Sequence, residues 1–347
     1  MLVDPARLGS VRRVAVLRAL KLGDLLVAIP ALRALRRAVP RADIALIGLP
    51  WAREFVDRFP HLIDVFHEFA GWPGLPEMEP RLAEIPTFIA RMQRERFDLV
   101  LQMHGSGSIV NELCALLAPR RVAGFFRAGD FRPEPRWFLP WPETGLELRR
   151  LLALTEFLGF PTCGEQLEFP LNFEDFDKAS ALTNGLREYV CIHPGASVAE
   201  RRWPIHGFAQ IADILAARGY PIVLTGSEGE CELTQAVARS MTAPALDLAG
   251  KTDLGAAAAL LRRARLLVAN DTGVSHLAAA VRTRSVIVST GDNPARWSPL
   301  NERLHRVLCA KSGTVPVAAV ARAAIDLLKR RHRPAHSDLA LCGPSAS

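Results

Sequence analysis

Apolar runs of strand length alternate with helix-length amphipathic patterns along almost the whole chain, and this alternation is the tightest constraint on its fold. A strand followed by a helix and then another strand pairs in parallel, through a right-handed crossover that lays the helix on one face of the sheet. The pattern predicts strands at Arg13–Arg18, Ile44–Ile47, Leu99–Gln102 and Val122–Phe125, with helices at Leu25–Ala38, Ile85–Arg94 and Ile109–Leu117. After a helical pattern at Leu146–Leu158 and a connector at Cys163–Phe176, the series starts afresh. It predicts strands at Tyr189–Ile192, Ile222–Thr225, Leu266–Ala269 and Ser285–Ser289, with helices at Ile205–Ala217, Glu230–Ser240, Leu254–Ala264 and Val274–Val281. An amphipathic stretch at Val315–Arg331 closes the series. The expectation is an α/β protein with two parallel sheets, each flanked by helices, whose strand carboxyl ends face a shared cleft.

At 347 residues the chain exceeds one ordinary core, and 49% hydrophobic residues suffice to bury two. The expected division is 1–165 and 166–331, with a polar, disordered tail at 332–347. Two stretches rich in Gly or Pro, Phe69–Pro80 and Arg127–Gly145, read as irregular excursions of the kind that shape binding clefts. No apolar run approaches the roughly 20 residues of a membrane span. Met1–Ser10 lacks the apolar core and small-residue cleavage site of a secretory signal, so a cytoplasmic location is expected. The six cysteines have no C-x-x-C spacing and read as reduced packing thiols.

The net charge of +7 is unevenly placed. Between residues 7 and 40, Arg7, Arg12, Arg13, Arg18, Lys21, Arg33, Arg36 and Arg37 stand against Asp24 alone. Such a field attracts phosphorylated ligands or an anionic membrane surface, whereas the plainer reading is a solvated helix face. No aromatic residues are interleaved with these charges and no nucleic-acid-binding motif occurs, so nucleic acid is not an expected partner.

Three motifs fall at predicted strand ends. Arg18-Ala19-Leu20-Lys21-Leu22-Gly23-Asp24 follows the first strand, where Gly23 permits a tight turn or a close approach. Asp24 is placed either to cap free N–H groups of the helix that follows or to serve as a general base at the cleft. His193-Pro194-Gly195-Ala196-Ser197 lets backbone N–H groups come close to a ligand, and Arg201-Arg202-Trp203-Pro204 offers two guanidinium forks that match phosphate oxygens. Two solvated loop arginines are the alternative. Asn270-Asp271-Thr272-Gly273-Val274-Ser275-His276 joins a buried strand to a helix through a short turn, an arrangement suited to an anion. Asp271 can bind sugar hydroxyls there, and Thr272 adds a hydroxyl. His276 is either part of that site or a packing histidine.

Other spacings are discounted. Asp175-Phe176-Asp177 has the D-x-D spacing of metal-dependent sugar transferases, yet it follows no apolar strand and reads as a helix start. No dinucleotide fingerprint and no P-loop occurs.

From Val11 to Leu328 the sequence resembles the family-9 glycosyltransferases, the group of the lipopolysaccharide heptosyltransferases. The resemblance rests on Leu22-Gly23-Asp24, Pro30-Ala31-Leu32-Arg33-Ala34-Leu35, Arg201-Arg202-Trp203-Pro204, Asp271-Thr272-Gly273-Val274-Ser275-His276 and Asp292-Asn293-Pro294-Ala295-Arg296-Trp297-Ser298-Pro299, in that order. It implies a GT-B fold of two Rossmann-like domains and an inverting, metal-independent transferase without a cofactor. An acceptor would bind the N-terminal domain and a nucleotide-diphosphate sugar, commonly ADP-heptose, the C-terminal one, with closure over the donor. The acceptor would be a glycan or glycolipid such as lipopolysaccharide core, reached at the cytoplasmic face of an anionic membrane.

Residue by residue, Asp24 matches the catalytic base, and Arg201 a position often held by lysine that contacts the donor diphosphate. Thr272 and Gly273 match the phosphate-binding turn, Asp271 a residue near the donor sugar, and Glu230 an acid that holds the ribose. Arg202, His193, Gly195 and His276 complete the expected donor side. Lys21, Gly23 and His104 are assigned to the acceptor side, with Lys21 standing where small polar residues are common. A silent nucleotide-sugar-binding relative and a sugar-nucleotide epimerase of similar shape are the competing readings.

Overall fold

The computed structural model describes residues 11–291, 293–310 and 313–330; Arg7, Asp292, Cys342 and the expected tail lie outside them. The first sheet comprises β1 (Arg13–Leu17), β2 (Asp43–Gly48), β3 (Val65–Glu68), β4 (Leu99–Gln102), β5 (Val122–Phe126) and β6 (Phe138–Pro140), in the order β3-β2-β1-β4-β5-β6. The second comprises β7 (Val190–His193), β8 (Ile222–Leu224), β9 (Ala245–Asp247), β10 (Leu266–Asn270), β11 (Ser285–Ser289) and β12 (His305–Cys309), in the order β12-β11-β10-β7-β8-β9. Every pairing is parallel. Counted from its own first strand, each sheet has the same 3-2-1-4-5-6 order, the doubly wound arrangement expected from the alternation.

All eight expected strands form. The four that the apolar pattern did not mark, β3, β6, β9 and β12, are the four sheet edges. Edge strands are half solvated, so they need no continuous apolar run. β9 is only half-buried throughout, and β3 is half-buried or exposed. β6 runs through the stretch expected to be irregular, and its Pro140 is tolerated because an edge leaves one side of the ladder unpaired.

The helices of the first half are α1 (Leu22–Ala38), α2 (Ala52–Val56), α3 (Ile85–Arg94), α4 (Ser108–Leu116) and α5 (Glu147–Phe157). Those of the second are α6 (Phe173–Leu182), α7 (Ile205–Ala216), α8 (Cys231–Ser240), α9 (Leu254–Arg263), α10 (Gly273–Ala280), α11 (Pro294–Trp297) and α12 (Val317–Lys329). α1 continues through Pro30, which an exposed helix would not tolerate cheaply, since an interior proline costs about 3 kcal/mol. Here Leu25, Leu26, Ile29, Leu32 and Leu35 are fully buried, each worth about 1.5–3 kcal/mol, so burial outweighs the lost hydrogen bond. The expected connector ends earlier than foreseen, because α6 begins at Phe173. Asn172 and Asp175 form a reciprocal capping box there, which confirms Asp175 as part of a helix start.

The halves touch along two seams. At one, Arg58 makes a two-pronged ion pair with Asp175 at 2.6 and 2.9 Å, and the Leu254 N–H donates to Glu54 at 3.1 Å. At the other, the N-termini of α1 and α10 meet, and one buried apolar cluster runs from the first sheet into Leu277, Ala278 and Leu267 of the second half. Among the described residues no helix is long and apolar enough to cross a membrane.

Candidate active site

The site is built where β1 and β10 end, because both strands hand over to helices whose first turns face each other. Gly23 and Gly273 form the contact. A Cβ on Gly23 would lie 2.8 Å from the His276 ring and 3.3 Å from Gly273 Cα, so the absence of a side chain lets the helices abut. α1 starts three residues earlier than the sequence pattern implied. Asp24 therefore sits inside its first turn, not before it, and reaches back to the Lys21 backbone N–H. The capping role expected of Asp24 is thus present, alongside a carboxylate still a quarter exposed.

Around Asp24 lies a cluster of charges that sequence reasoning did not assign. Arg18, 1% exposed, donates through Nε to the Asp24 carbonyl at 2.8 Å and through Nη1 to the Met103 carbonyl. Its Nη2 lies 3.8 Å from Asp24 Oδ1 and 3.6 Å from Glu147 Oε1. Glu147, 2% exposed, also meets Arg150 at 3.4 Å and Arg296 at 3.0 Å. Burial raises the Asp24 carboxyl above its ordinary value, Arg18 opposes this, Glu147 adds to it, and the Lys21 backbone and Arg296 oppose it; the balance is upward. A strand that ends in a buried arginine was the available signal for Arg18. Glu147, in the first turn of a helix, looks like any acid that favours a helix N-terminus, so nothing in the pattern marked it.

On the other side, Asn270 was quoted in a motif but given no role. It is fully buried at the end of β10, donates to the Pro194 and Gly195 carbonyls at 2.7 and 3.2 Å, and accepts the Trp203 N–H at 2.8 Å. One side chain thereby ties the loop after β7 and the arginine loop to the Asp271–Thr272–Gly273 turn. Asp271 is buried, and Thr272, at the start of α10, makes no capping hydrogen bond through its side chain. Arg201 is exposed beside Gly291, whereas Arg202 is half-buried and donates to the Ala196 carbonyl at 3.2 Å. His193 bonds Thr225 Oγ1 at 3.2 Å and lies 3.9 Å from Glu230, with burial holding its pKa down. Glu230 accepts from the N–H and hydroxyl of Ser227 and overlies Gly195, where any Cβ would collide with its carboxylate.

His276 packs, as one of its two readings had it. It is 5% exposed, burial lowers its pKa to about 4, and its ring packs edge-on against Trp297, yet it also touches Gly23. A cavity of about 670 Å³ lies beside it between the halves, bounded by Val27, Arg296, Trp297 and His305. Lys21 is exposed at the start of α1. His104 accepts the Ala19 N–H through Nδ1 at 3.2 Å, which leaves the proton on Nε2, 3.3 Å from Glu77. Burial opposes the charge of Glu77, but His104 outweighs it and keeps the carboxyl below its ordinary range. The excursion at Phe69–Pro80 thus packs down on the His104 loop.

The dense basic stretch is not one exposed patch. Arg18 is buried, Arg33 pairs with Glu168, and Arg36 pairs with Asp64; Arg12, Arg13, Lys21 and Arg37 remain exposed. Cys114 and Cys191 are buried free thiols as expected, while Cys309 is exposed. Among the described residues no group of three or more His, Cys, Asp or Glu is placed to hold a metal ion.

The sequence pattern described as glycosyltransferase family 9 (heptosyltransferase) matches residues 87–318, about two thirds of the chain. The chain belongs to glycosyltransferase family 9. Relatives include the lipopolysaccharide core heptosyltransferase OpsX of Haemophilus influenzae, 22% identical over 299 residues that span 84% of this chain and 82% of OpsX. Among solved structures, the family 9 glycosyltransferase of Veillonella parvula superposes with a TM-score of 0.76 at 22% identity, covering 91% of this chain and 97% of its own. The Escherichia coli ADP-heptose lipopolysaccharide heptosyltransferase II gives 0.73 at 21% identity, covering 91% and 98%. The fold is therefore GT-B, and the protein is a glycosyltransferase rather than an epimerase of similar shape.

Proposed function

We propose that this family 9 protein transfers heptose from ADP-heptose to a hydroxyl of lipopolysaccharide core, by a single inverting displacement that needs no metal ion. Asp24 carries the reading: a carboxylate with a raised pKa, one residue from the point where the two halves touch. A base whose proton affinity is moved toward neutral accepts a hydroxyl proton more effectively while still ionised. In the reaction, Asp24 takes the acceptor's proton as its oxygen attacks the anomeric carbon, and the bond to the diphosphate breaks with its electron pair leaving on phosphate oxygen. Arg201, Arg202 and the N–H groups of Thr272–Gly273 stabilise the charge that grows there. Asp271 and His276 border the sugar, Glu230 holds the ribose, and His193 and Gly195 shape the backbone approach. Lys21, Gly23 and His104 face the acceptor.

The names of OpsX and of the E. coli enzyme support lipopolysaccharide core and ADP-heptose as substrates. The proposal includes an acceptor half at 1–165 and a donor half at 166–331, action at the cytoplasmic face, and peripheral membrane contact through Arg12, Arg13 and Arg37. The test combines calorimetry with ADP, UDP and GDP, with and without magnesium, and a turnover assay on Asp24→Asn. Preferential ADP binding indifferent to metal is expected, with turnover in the variant down about 10²–10⁴-fold and nucleotide binding retained. Preference for UDP or GDP removes ADP-heptose as donor, and near-normal turnover of Asp24→Asn removes the base.

A further inference from the structure

Arg296 stands in the second half, on the short helix α11 whose start is fixed by Asn293, which accepts the Ala295 N–H at 3.1 Å, and by Pro294. Its guanidinium crosses to the first half. There it donates through Nε to Glu147 Oε2 at 3.0 Å and lies 5.8 Å from the Trp141 ring centroid, with its own Trp297 ring at 4.8 Å. The first half supplies the whole socket. Glu147 opens α5, Arg150 bonds both Glu147 and the Glu143 carbonyl, and its guanidinium sits 5.1 Å from the Trp141 centroid, with Trp141 packed edge-on against Phe125. The socket adjoins Asp24 through Arg18, which spans the two carboxylates.

We propose that Glu147 and Arg296 form a clasp between the two halves, in which Arg296 is a positioning residue that completes the charge balance around Asp24 only when the halves are together. This goes beyond the proposed transfer reaction but rests on that reading for the role of Asp24. The charges acting on the base come from Arg18 after β1, Glu147 on α5 and Arg296 on α11, with the Lys21 backbone N–H at the start of α1 bonded to it and the neutral His276 of α10 beside the neighbouring Gly23. Of the described cations acting on Asp24, only Arg296 is delivered by the other half. Its withdrawal leaves the carboxylate of Glu147 less compensated, and Asp24 then holds its proton more tightly. Docking of the donor-bearing half therefore frees the base at the moment it is needed.

The test is the pH profile of kcat for wild type, Arg296→Gln, Arg296→Lys and Glu147→Gln, with thermal melting of each protein. Arg296→Gln is expected to move the acid limb to higher pH by about half a unit or more, lower kcat on that limb about threefold or more, and leave donor KM within about threefold. Arg296→Lys keeps the charge and should return the limb toward wild type. Glu147→Gln should move it the opposite way, to lower pH; if that buried change prevents folding, the two Arg296 variants decide. Emission from Trp141 and Trp297 gives a readout without turnover and is expected to change in Arg296→Gln. An acid limb unmoved in a normally melting Arg296→Gln, a loss confined to donor KM, or an unchanged emission spectrum overturns the clasp. Wild-type protein that releases no nucleotide diphosphate on adding acceptor sinks the transfer reading instead.

Discussion

Gly23 shows how much of the site hangs on one missing methyl group. Its backbone is not in the left-handed region, so a conformational need for glycine is not the reason for it; the reason is contact with Gly273 and His276. Gly23→Ala places a Cβ 2.8 Å from the His276 ring and 3.3 Å from the Gly273 Cα, and that backbone cannot swing aside as a side chain can. Helix α10 has to retreat by tenths of an ångström, which displaces Thr272 and Gly273 from Asp24. The variant is expected to fold normally and to lose about tenfold or more in turnover, since misplacement of this size alone is costly to catalysis. Steady-state kinetics beside a melting curve check this, and wild-type kcat in Gly23→Ala would show that the contact is incidental.

At the scale of elements, the proposed donor side is held by a strand end rather than by its loops. Asn270 satisfies two carbonyls and one N–H from segments more than 65 residues away in sequence. Loops with no regular hydrogen bonding of their own need such an anchor, or their buried polar groups go unpaired. Asn270→Ala leaves those groups without their partner, at a cost of about 1–3 kcal/mol for each that stays dry. Urea denaturation should show a loss of at least about 2 kcal/mol. Calorimetry should also show weaker nucleotide binding, because the loops at Gly195 and Arg202 lose their common support. Unchanged binding in a destabilised variant would mean that the loops are preformed by other contacts.

For the whole molecule, the two seams do different work. The proposed clasp lies beside Asp24, whereas Arg58 and Asp175 pair at the other seam, close under Gly255, where a Cβ would strike both side chains. Asp175 there also caps α6, and Arg58 and its helix cap keep its carboxyl low although burial pushes the other way. Asp175→Ala removes cap and pair together. Loss of a cap costs about 1 kcal/mol, and a pair with one partner buried adds more, so about 2–3 kcal/mol is expected. Turnover at saturating substrate should stay near wild type, because neither Arg58 nor Asp175 is among the groups whose charge acts on Asp24. Chemical denaturation and kcat on the same preparation separate the two effects.

What the sequence by itself determined is the part of the protein that repeats locally. Apolar runs buried on both faces and the helices between them made the eight inner strands and the doubly wound class readable, since a strand's burial is written in its own residues. Motifs at strand ends likewise placed Asp24, the Thr272–Gly273 turn and the arginine loop on one cleft. The edge strands β3, β6, β9 and β12 were not readable, because half-solvated strands carry no distinct pattern. The charges around Asp24 were hidden for a related reason. Arg18, Glu147 and Arg296 are 129 and 149 residues apart along the chain, and an isolated arginine or glutamate looks the same whether it ends in water or in a buried ion pair. Only the tertiary structure decides which charges lose their water, and it is the loss of water that makes those charges act on one another.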